Sequence, residues 1–280
     1  MGNKIKLAGV DLAWRSEKIP TAIAIGSCDS SELSIERVIP AIFGIKDVLS
    51  ELKETNDLTG IAIDAPLIIN KVDGQRDCEK EIGETYGSKQ ASCHTSNTTL
   101  YPSANSVKLS NELVSLGFEH LGKENAKWQI ECYPHPAIIE IFGLEKRLKY
   151  KKGLVSERRE GQVQLGKLIK GLSNNPVLKL NLSDSLAADH IDEQKIHSLK
   201  GQALKTNEDA LDAIICLYIA ALYSIHKKSR TLGKIFGEIE NGYIWVPQPV
   251  KTSRTELINC LLYTSPSPRD RTRSRMPSSA

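Results

Sequence analysis

The hydrophobic pattern of the first quarter of the chain predicts strands joined by short turns. Three largely apolar runs, at residues 4–13, 20–26 and 32–39, follow one another closely and predict an antiparallel three-stranded meander. Residues 45–53 then place their apolar side chains at helical spacing, and a further apolar run occupies residues 60–66. Because a strand that is reached through a crossover helix normally runs parallel to its neighbour, this fourth strand is predicted to be parallel.

The rest of the chain is mostly helical in pattern. Helices are predicted at residues 75–84, 104–121 and 154–172, from Pro134 onward, and from an N-cap at Asn207 to about residue 226. A short strand is predicted at residues 129–133, and Asn241-Gly242 between two apolar runs predicts a hairpin. Residues 87–103 are predicted to form a loop, whereas residues 173–200 show poor periodicity. The fold class is therefore predicted to be α/β, with a mixed sheet flanked by helices.

The composition narrows the class of protein further. The chain is 40% hydrophobic and 25% charged, as is usual for a globular protein, and no apolar run approaches the ~18 residues of a membrane span. With no signal-peptide pattern at the N-terminus, we expect a cytoplasmic protein without membrane association. The six cysteines are scattered and form no CxxC pair, so we expect free thiols.

The last 21 residues, 260–280, differ from the rest of the chain. They are rich in Ser, Pro and Arg, and their four arginines and one aspartate account for the whole formal net charge of +3. A basic arm for nucleic acid is one interpretation. The preferred one is an artefact, because CLLYTSPSPRD resembles the translation of a sequencing adaptor. We therefore predict a domain at residues 1–256 and a disordered tail at 257–280. The domain is then neutral, so phosphate binding must be local or metal-assisted.

Four acidic residues interrupt apolar elements, and each needs an explanation. They are Asp11, Asp64, Glu131 and Asp212. A carboxylate is costly to remove from water unless it is paired, hydrogen-bonded or bound to a metal. Because ligands collect at the carboxyl ends of strands in α/β sheets, Asp11 and Asp64 are expected at one site. Converging carboxylates repel one another, and a hard cation such as Mg²⁺ or Mn²⁺ relieves that repulsion.

Each acid also has a purely structural interpretation. An aspartate at a strand end, such as Asp11 or Asp64, often caps a turn. Glu208 and Asp209 can favour a helix N-terminus through the helix dipole, and this is the preferred interpretation for Asp209. Asp212 is three residues further along the same helix face and is crowded by apolar neighbours. The set of four is more specific than any of its members.

Five short motifs, GVDLAW, IAIDAPL, ECYPHPA, KYKKG and DALDA, occur in this order along the chain. Their order and spacing over roughly residues 4–250 resemble an uncharacterised family that is described as predicted nucleases of ribonuclease H fold. The resemblance implies a ribonuclease H-like sheet and a metal site at Asp11, Asp64, Glu131 and Asp212. Because the family's function is itself inferred from its fold, the resemblance is stronger evidence for the fold than for the activity.

The resemblance also draws attention to neighbouring polar residues. Arg76, Lys149, Lys151 and Lys152 are candidate phosphate contacts, although lysine clusters are also typical of a solvated surface. His135 lies four residues after Glu131 and is a candidate for orienting water or relaying protons. The alternative for His135 is a histidine at a helix start that is hydrogen-bonded to the backbone.

These observations predict a metal-dependent nuclease or phosphodiesterase. Two Mg²⁺ or Mn²⁺ ions about 4 Å apart can activate water and stabilise the leaving oxygen of a phosphodiester, with DNA or RNA as substrate. One alternative is an actin-like or sugar-kinase-type ATP phosphotransferase, which shares strand-end aspartates but normally needs glycine-rich turns. Another is a catalytically inactive nucleic-acid-binding module. No oligomeric state is predicted.

Overall fold

A mixed sheet forms the centre of the structure, a computed structural model that describes residues 4–123, 125–182 and 187–249. Within these residues the sheet has seven strands: β1 Ile5–Asp11, β2 Thr21–Cys28, β3 Glu32–Ile42, β4 Leu58–Asp64, β5 Glu119–His120, β6 Trp128–Glu131 and β7 Lys179–Asn181. Their order is β5-β6-β4-β1-β2-β3-β7. Strands β1 to β3 form an antiparallel meander, and β4 is parallel to β1. The predicted fold class is confirmed, and the sheet is consistent with a ribonuclease H-like fold.

Helices cover both faces of this sheet, as predicted. They are α1 Ile45–Glu54, α2 Asp77–Tyr86, α3 Asn105–Ser115, α4 Pro134–Phe142, α5 Val155–Gly171, α6 Ala187–Ile191, α7 Glu193–Ser198 and α8 Gly201–Ser229. The predicted hairpin is present as β8 Gly233–Glu238 and β9 Gly242–Pro247. Gly242 follows a short 3-10 turn with a φ of 95°, a backbone conformation that favours glycine.

The two faces of the sheet differ in side-chain size. Ala22 and Ala24 of β2 belong to the core cluster that contains α8, whereas Ile23 and Ile61 face α1 and α3. Small residues let a helix approach the sheet closely. At Gly9 of β1, an added Cβ atom would lie 1.9 Å from the backbone nitrogen of Leu217 in α8. The absence of a side chain at this position therefore fixes the depth at which α8 crosses β1.

Helix α8 is the central core element. In the described part of the chain it alone is long and apolar enough to cross a membrane, with a mean hydropathy of 1.4 over its most apolar window. However, 83% of that window is buried inside the protein. Packing against β1, β2 and β3 thus accounts for its apolar composition.

The start of α8 differs from the prediction. The helix begins at Gly201, so Asn207 lies inside it and is not its N-cap. The Asn207 amide donates to Gln162 Oε1 at 3.0 Å and to the carbonyl oxygen of His190 at 3.2 Å. From the sequence alone, a buried asparagine that is hydrogen-bonded to distant residues looks the same as a helix N-cap. As a result, Asp209 and Asp212 lie two to three turns into the helix, where the dipole of the helix N-terminus does not support them.

One further prediction about an element was wrong, and one stretch for which no element was predicted has regular structure. The helix predicted to end at residue 121 ends at Ser115, because Gly117 takes a φ of 87° and turns the chain into β5. The poorly periodic residues 173–200 contain β7, which pairs with β3, together with α6 and α7. A three-residue strand is too short to produce a recognisable alternation of apolar and polar residues.

The described residues belong to one compact unit, which ends at Pro249. The predicted tail at residues 257–280 lies outside the described residues. Five cysteines are free thiols, as expected: Cys28, Cys78, Cys93, Cys132 and Cys216. The sixth, Cys260, also lies outside the described part of the chain.

Candidate active site

Two aspartates meet at one end of the central sheet. Asp11 is the last residue of β1, Asp64 is the last residue of β4, and the two are paired in the parallel register. Both side chains are only partly exposed, 17% for Asp64. The predicted convergence of these two acids at the carboxyl ends of adjacent strands is therefore what the structure shows.

Helix α8 brings further carboxylates to the same place. Asp212 is fully buried on α8, and its charge raises the pKa of Asp11, as does that of Asp209. Lys205 lies 2.6 Å from Asp209 and 2.7 Å from Glu208, one helical turn before each acid, and Arg158 lies 3.5 Å from Glu208, so two cations balance these two acids. The close approach of α8 at Gly9 is what lets Asp212 face Asp11 across the end of β1.

The segment between α4 and α5 contributes the site's own cation. Lys151 Nζ lies 2.7 Å from Asp212 Oδ2 and 3.7 Å from Asp64 Oδ2. The adjacent Tyr150 is buried, and its hydroxyl donates to Asp212 Oδ1 at 2.7 Å. Three formal negative charges, on Asp11, Asp64 and Asp212, thus face one ammonium group, which leaves an excess of two.

The pKa values reflect this excess. Burial and the Asp212 charge raise the pKa of Asp11 well above its ordinary value. Burial raises the pKa of Asp64 to about 7, with Lys151 opposing the shift and Asp212 adding to it. Burial lowers the pKa of Lys151, but Asp212 and Asp64 outweigh burial and hold it well above the usual range. The site is therefore short of positive charge.

Glu131 ends the neighbouring strand β6 but has its own partner. Arg76 donates to both of its carboxylate oxygens, from Nη2 to Oε1 at 2.6 Å and from Nη1 to Oε2 at 2.9 Å. The backbone N–H of Leu67 donates to Oε2 at 2.9 Å. Arg76 is 2% exposed and also contacts Glu79 at 2.8 Å. These contacts favour a structural role for Arg76 and Glu131. Phosphate contact by Arg76 and metal ligation by Glu131 stay predictions.

The other predicted residues divide between the surface and the core. Lys149 and Lys152 are exposed, whereas Lys151 lies inside the site. His135 is buried, and its ring packs edge-on against Tyr133 and Tyr150, with centroid distances of 5.7 and 5.4 Å.

Burial and the nearby Lys151 lower the pKa of His135 well below its ordinary value, which favours a neutral ring. His135 Nδ1 has no hydrogen-bond partner among the described residues. The structure thus places this ring behind Tyr150, and its predicted role as a proton relay stays a prediction.

The donor set suits Mg²⁺ or Mn²⁺ in chemistry and in charge. Carboxylate oxygens are the preferred ligands of both ions, and an excess of two negative charges matches one divalent cation. Asp209 Oδ2 is buried without a hydrogen-bond partner. However, no three ligating side chains within the described ranges are close enough together to form a ready-made metal site. Lys151 lies between two of the carboxylates, Asp64 and Asp212.

A cavity of about 970 Å³ lies elsewhere. It is lined by residues around β7 and the start of β3, among them Glu32, Lys167 and Lys179. Because β3 runs in the same direction as β1, its start lies at the end of the sheet opposite Asp11. The cavity is therefore not part of the acidic site.

Sequence reasoning missed two contributors to the site. Tyr150 stands inside the KYKKG motif, whose lysines alone were considered. Asp209 was assigned to a helix N-terminus, although its spacing of three residues from Asp212 already indicates a shared helix face.

The fold and the site define an α/β protein with a mixed sheet of ribonuclease H-like order and clustered carboxylates at its strand ends. A family model described as "Protein of unknown function (DUF429)" matches residues 9–232, and the chain belongs to this family. The predicted membership of an uncharacterised family is thereby confirmed. No curated protein and no solved structure matches the chain.

Proposed function

We propose that the protein is a hydrolase that uses Mg²⁺ or Mn²⁺ to cleave phosphodiester bonds in nucleic acid. The observation that carries this proposal is the convergence of Asp11, Asp64 and Asp212 around a single ammonium group at the end of the sheet. A structural role alone does not require three carboxylates with an unbalanced charge. A divalent cation and a phosphodiester together account for both the acids and the excess charge.

The three aspartates line the site of the cation, with Asp11 and Asp64 as the ligands that would hold it, and a bound cation would supply an activated water molecule and stabilise charge on the leaving oxygen. The chain's own groups prepare this site. The Tyr150 hydroxyl orients Asp212 by donating to Oδ1 at 2.7 Å. The partial exposure of Asp64 and Lys151 opens the site to solvent, which a polymeric substrate requires. The fully buried position of Asp212 keeps one side of the site dry.

A group of cationic and aromatic side chains lies near the acids and suits nucleic acid. Arg15, four residues after Asp11, stacks over the rings of Trp14 and Tyr101 at 4.9 and 5.5 Å. After burial, Lys152 and Arg15 lower the pKa of His94, which indicates that these groups are neighbours. Both rings are half-buried, and positive charge next to accessible ring surface is typical of proteins that contact phosphates and bases. It also provides the local attraction that a neutral domain needs.

The turn after Asp11 bears on the phosphotransferase alternative. It reads Leu12-Ala13-Trp14 and has no glycine to bring the backbone close to phosphate. No contact in the described residues favours this alternative over hydrolysis.

The full-length protein should cleave labelled single- or double-stranded DNA or RNA in the presence of Mg²⁺ or Mn²⁺, and not in chelator. Asp11→Asn should reduce the rate by about a hundredfold or more, because it removes a ligand of the cation. The matched control is Asp73→Asn at an exposed position, which should leave the rate unchanged.

Cleavage that persists in chelator or in Asp11→Asn would refute the proposal. Binding of a fluorescent ATP analogue without cleavage of any nucleic acid would favour the phosphotransferase. Salt-sensitive binding of DNA without any binding of Mn²⁺ would favour the inactive binding module.

A further inference from the structure

Lys151 occupies an unusual place for a lysine. Its ammonium group lies between Asp212, at 2.7 Å, and Asp64, at 3.7 Å, and its side chain is only 21% exposed. The following residue, Lys152, is exposed to solvent. The ammonium thus lies between two of the carboxylates that are expected to bind a metal ion, a position in which cations of any kind are stabilised.

One predicted metal ligand of this region, Glu131, is paired with the guanidinium of Arg76. Both oxygens of Glu131 accept hydrogen bonds from the buried Arg76, and one also accepts from the Leu67 backbone. A carboxylate offers about four lone-pair sites, and these three bonds occupy most of those of Glu131, which makes it less available to a metal ion than Asp11 or Asp64. We therefore take Asp11, Asp64 and Asp212 as the three acids that are most open to a metal ion.

One of those three is also partly occupied. Asp212 accepts from Tyr150 on Oδ1 and faces Lys151 with Oδ2. Asp11 and Asp64, side by side in the register, are left as the open ligands. Asp209 has its own cation in Lys205, at 2.6 Å, and does not change the count. With Lys151 in place, the other three acids carry a formal excess of two negative charges, which one divalent cation neutralises and two would overcompensate.

We propose that Lys151 acts as a built-in cation of this site, which therefore binds one divalent ion and not two. The ammonium supplies the positive charge that a second metal ion would bring, next to Asp212, and Asp11 and Asp64 hold the metal ion. The inference rests on the proposed cation dependence of the site. It makes Lys151 part of the site itself and leaves phosphate contact to exposed groups such as Lys152.

The test measures the stoichiometry of Mn²⁺ on the full-length protein, from the spectroscopic signal of unbound Mn²⁺. The wild type should bind one Mn²⁺ per chain at the acidic site, and Lys151→Met should bind two, because the variant removes the ammonium group and its charge from beside Asp212. The matched control is Lys152→Met, which removes the same charge one residue away and should bind one ion. Asp11→Asn should lose the ion.

A second readout needs no metal. In chelator, Lys151→Met leaves three carboxylates facing one another, so its urea midpoint should fall by about 1 M relative to Lys152→Met. Two ions bound by the wild type, or one ion bound by Lys151→Met with an unchanged midpoint, would overturn the inference.

The inference and the proposed function fail in different ways. One bound Mn²⁺ without any nucleic-acid cleavage contradicts the function and leaves the role of Lys151 standing. Cleavage of nucleic acid by a wild type that binds two Mn²⁺ ions supports the function and contradicts the role of Lys151. No Mn²⁺ binding by the wild type overturns both.

Discussion

The buried ion pair between Arg76 and Glu131 gives the sharpest prediction for stability. Replacing Arg76 by Met keeps the length and much of the volume of the side chain but removes the guanidinium. Glu131 is 3% exposed, and Glu79, the second partner of Arg76, is 1% exposed. The substitution therefore leaves two buried carboxylates without the cation that they share.

The size of the effect follows from burial. Breaking a buried ion pair by removing one partner typically costs about 3–5 kcal/mol, since the remaining charge is left uncompensated. Arg76→Met should lie at the upper end of this range, because the guanidinium also donates to the carbonyl oxygen of Ile68 at 3.0 Å. The double variant Arg76→Met/Glu131→Gln should recover part of the loss, because a neutral amide is less costly to bury than an unpaired carboxylate.

The assay is equilibrium unfolding in urea, with Arg37→Met as the matched control. Arg37 is half exposed and pairs with Glu51 on the surface, so its loss should cost no more than about 1 kcal/mol. A loss of stability in Arg76→Met no greater than that in Arg37→Met would refute the reasoning. So would a double variant that is less stable than Arg76→Met alone.

Three further predictions concern the acidic site and the helix behind it. Gly9→Ala should lower the free energy of unfolding by about 3 kcal/mol or more, because the new methyl group would overlap the backbone of Leu217. In the control Gly83→Ala, no atom lies within 4 Å of the new methyl group, so the free energy of unfolding should rise by up to about 1 kcal/mol. Asp11→Asn should raise the thermal midpoint of the protein in chelator while abolishing cation binding, since it relieves repulsion among buried carboxylates; a lower midpoint would contradict this. The pKa of Asp64 is raised to about 7 from an ordinary 3.8, so its contribution to metal-free stability is present below about pH 4 and is lost as the pH rises through about 7. Because Mg²⁺ binds the deprotonated carboxylate, its affinity measured by calorimetry should strengthen up to about pH 7 and level off above it. An affinity that does not change with pH would count against the site.

Much of the fold could be predicted from local pattern. The meander, the crossover helix and the parallel fourth strand depend on alternation, helical spacing and connection length, all of which lie within a few residues of each other. Once β1 and β4 are predicted as parallel neighbours, the meeting of Asp11 and Asp64 follows from geometry alone. Elements that depend on distant contacts were missed. Strand β7 has three residues and exists because β3 offers it a partner.

The partners of the charges could not be predicted in the same way. Arg76 and Glu131 are 55 residues apart, and Lys151 and Asp212 are separated by a similar distance. Nothing in the sequence near a charged residue states which distant group will neutralise it. Arg76 was a candidate phosphate contact because the family resemblance drew attention to it, and arginine commonly binds phosphate. Its burial, which depends on the packing of α2 against the hairpin of β8 and β9, favours a different role.

Asp64 and Glu131 show how far the sequence signal extends. Each is an acid that ends an apolar strand, and the two strands are hydrogen-bonded neighbours in the sheet. Both lose most of their contact with water, Glu131 more completely than Asp64, and they differ further in what compensates that loss. Glu131 receives a guanidinium and a backbone N–H, whereas Asp64 receives an ammonium at 3.7 Å that it shares with Asp212. The carboxylate that is poorly compensated is the one that gains from binding a cation. An acid that ends an apolar strand thus indicates a buried charge. Whether that charge stabilises the fold or binds a ligand depends on a side chain that is distant in sequence.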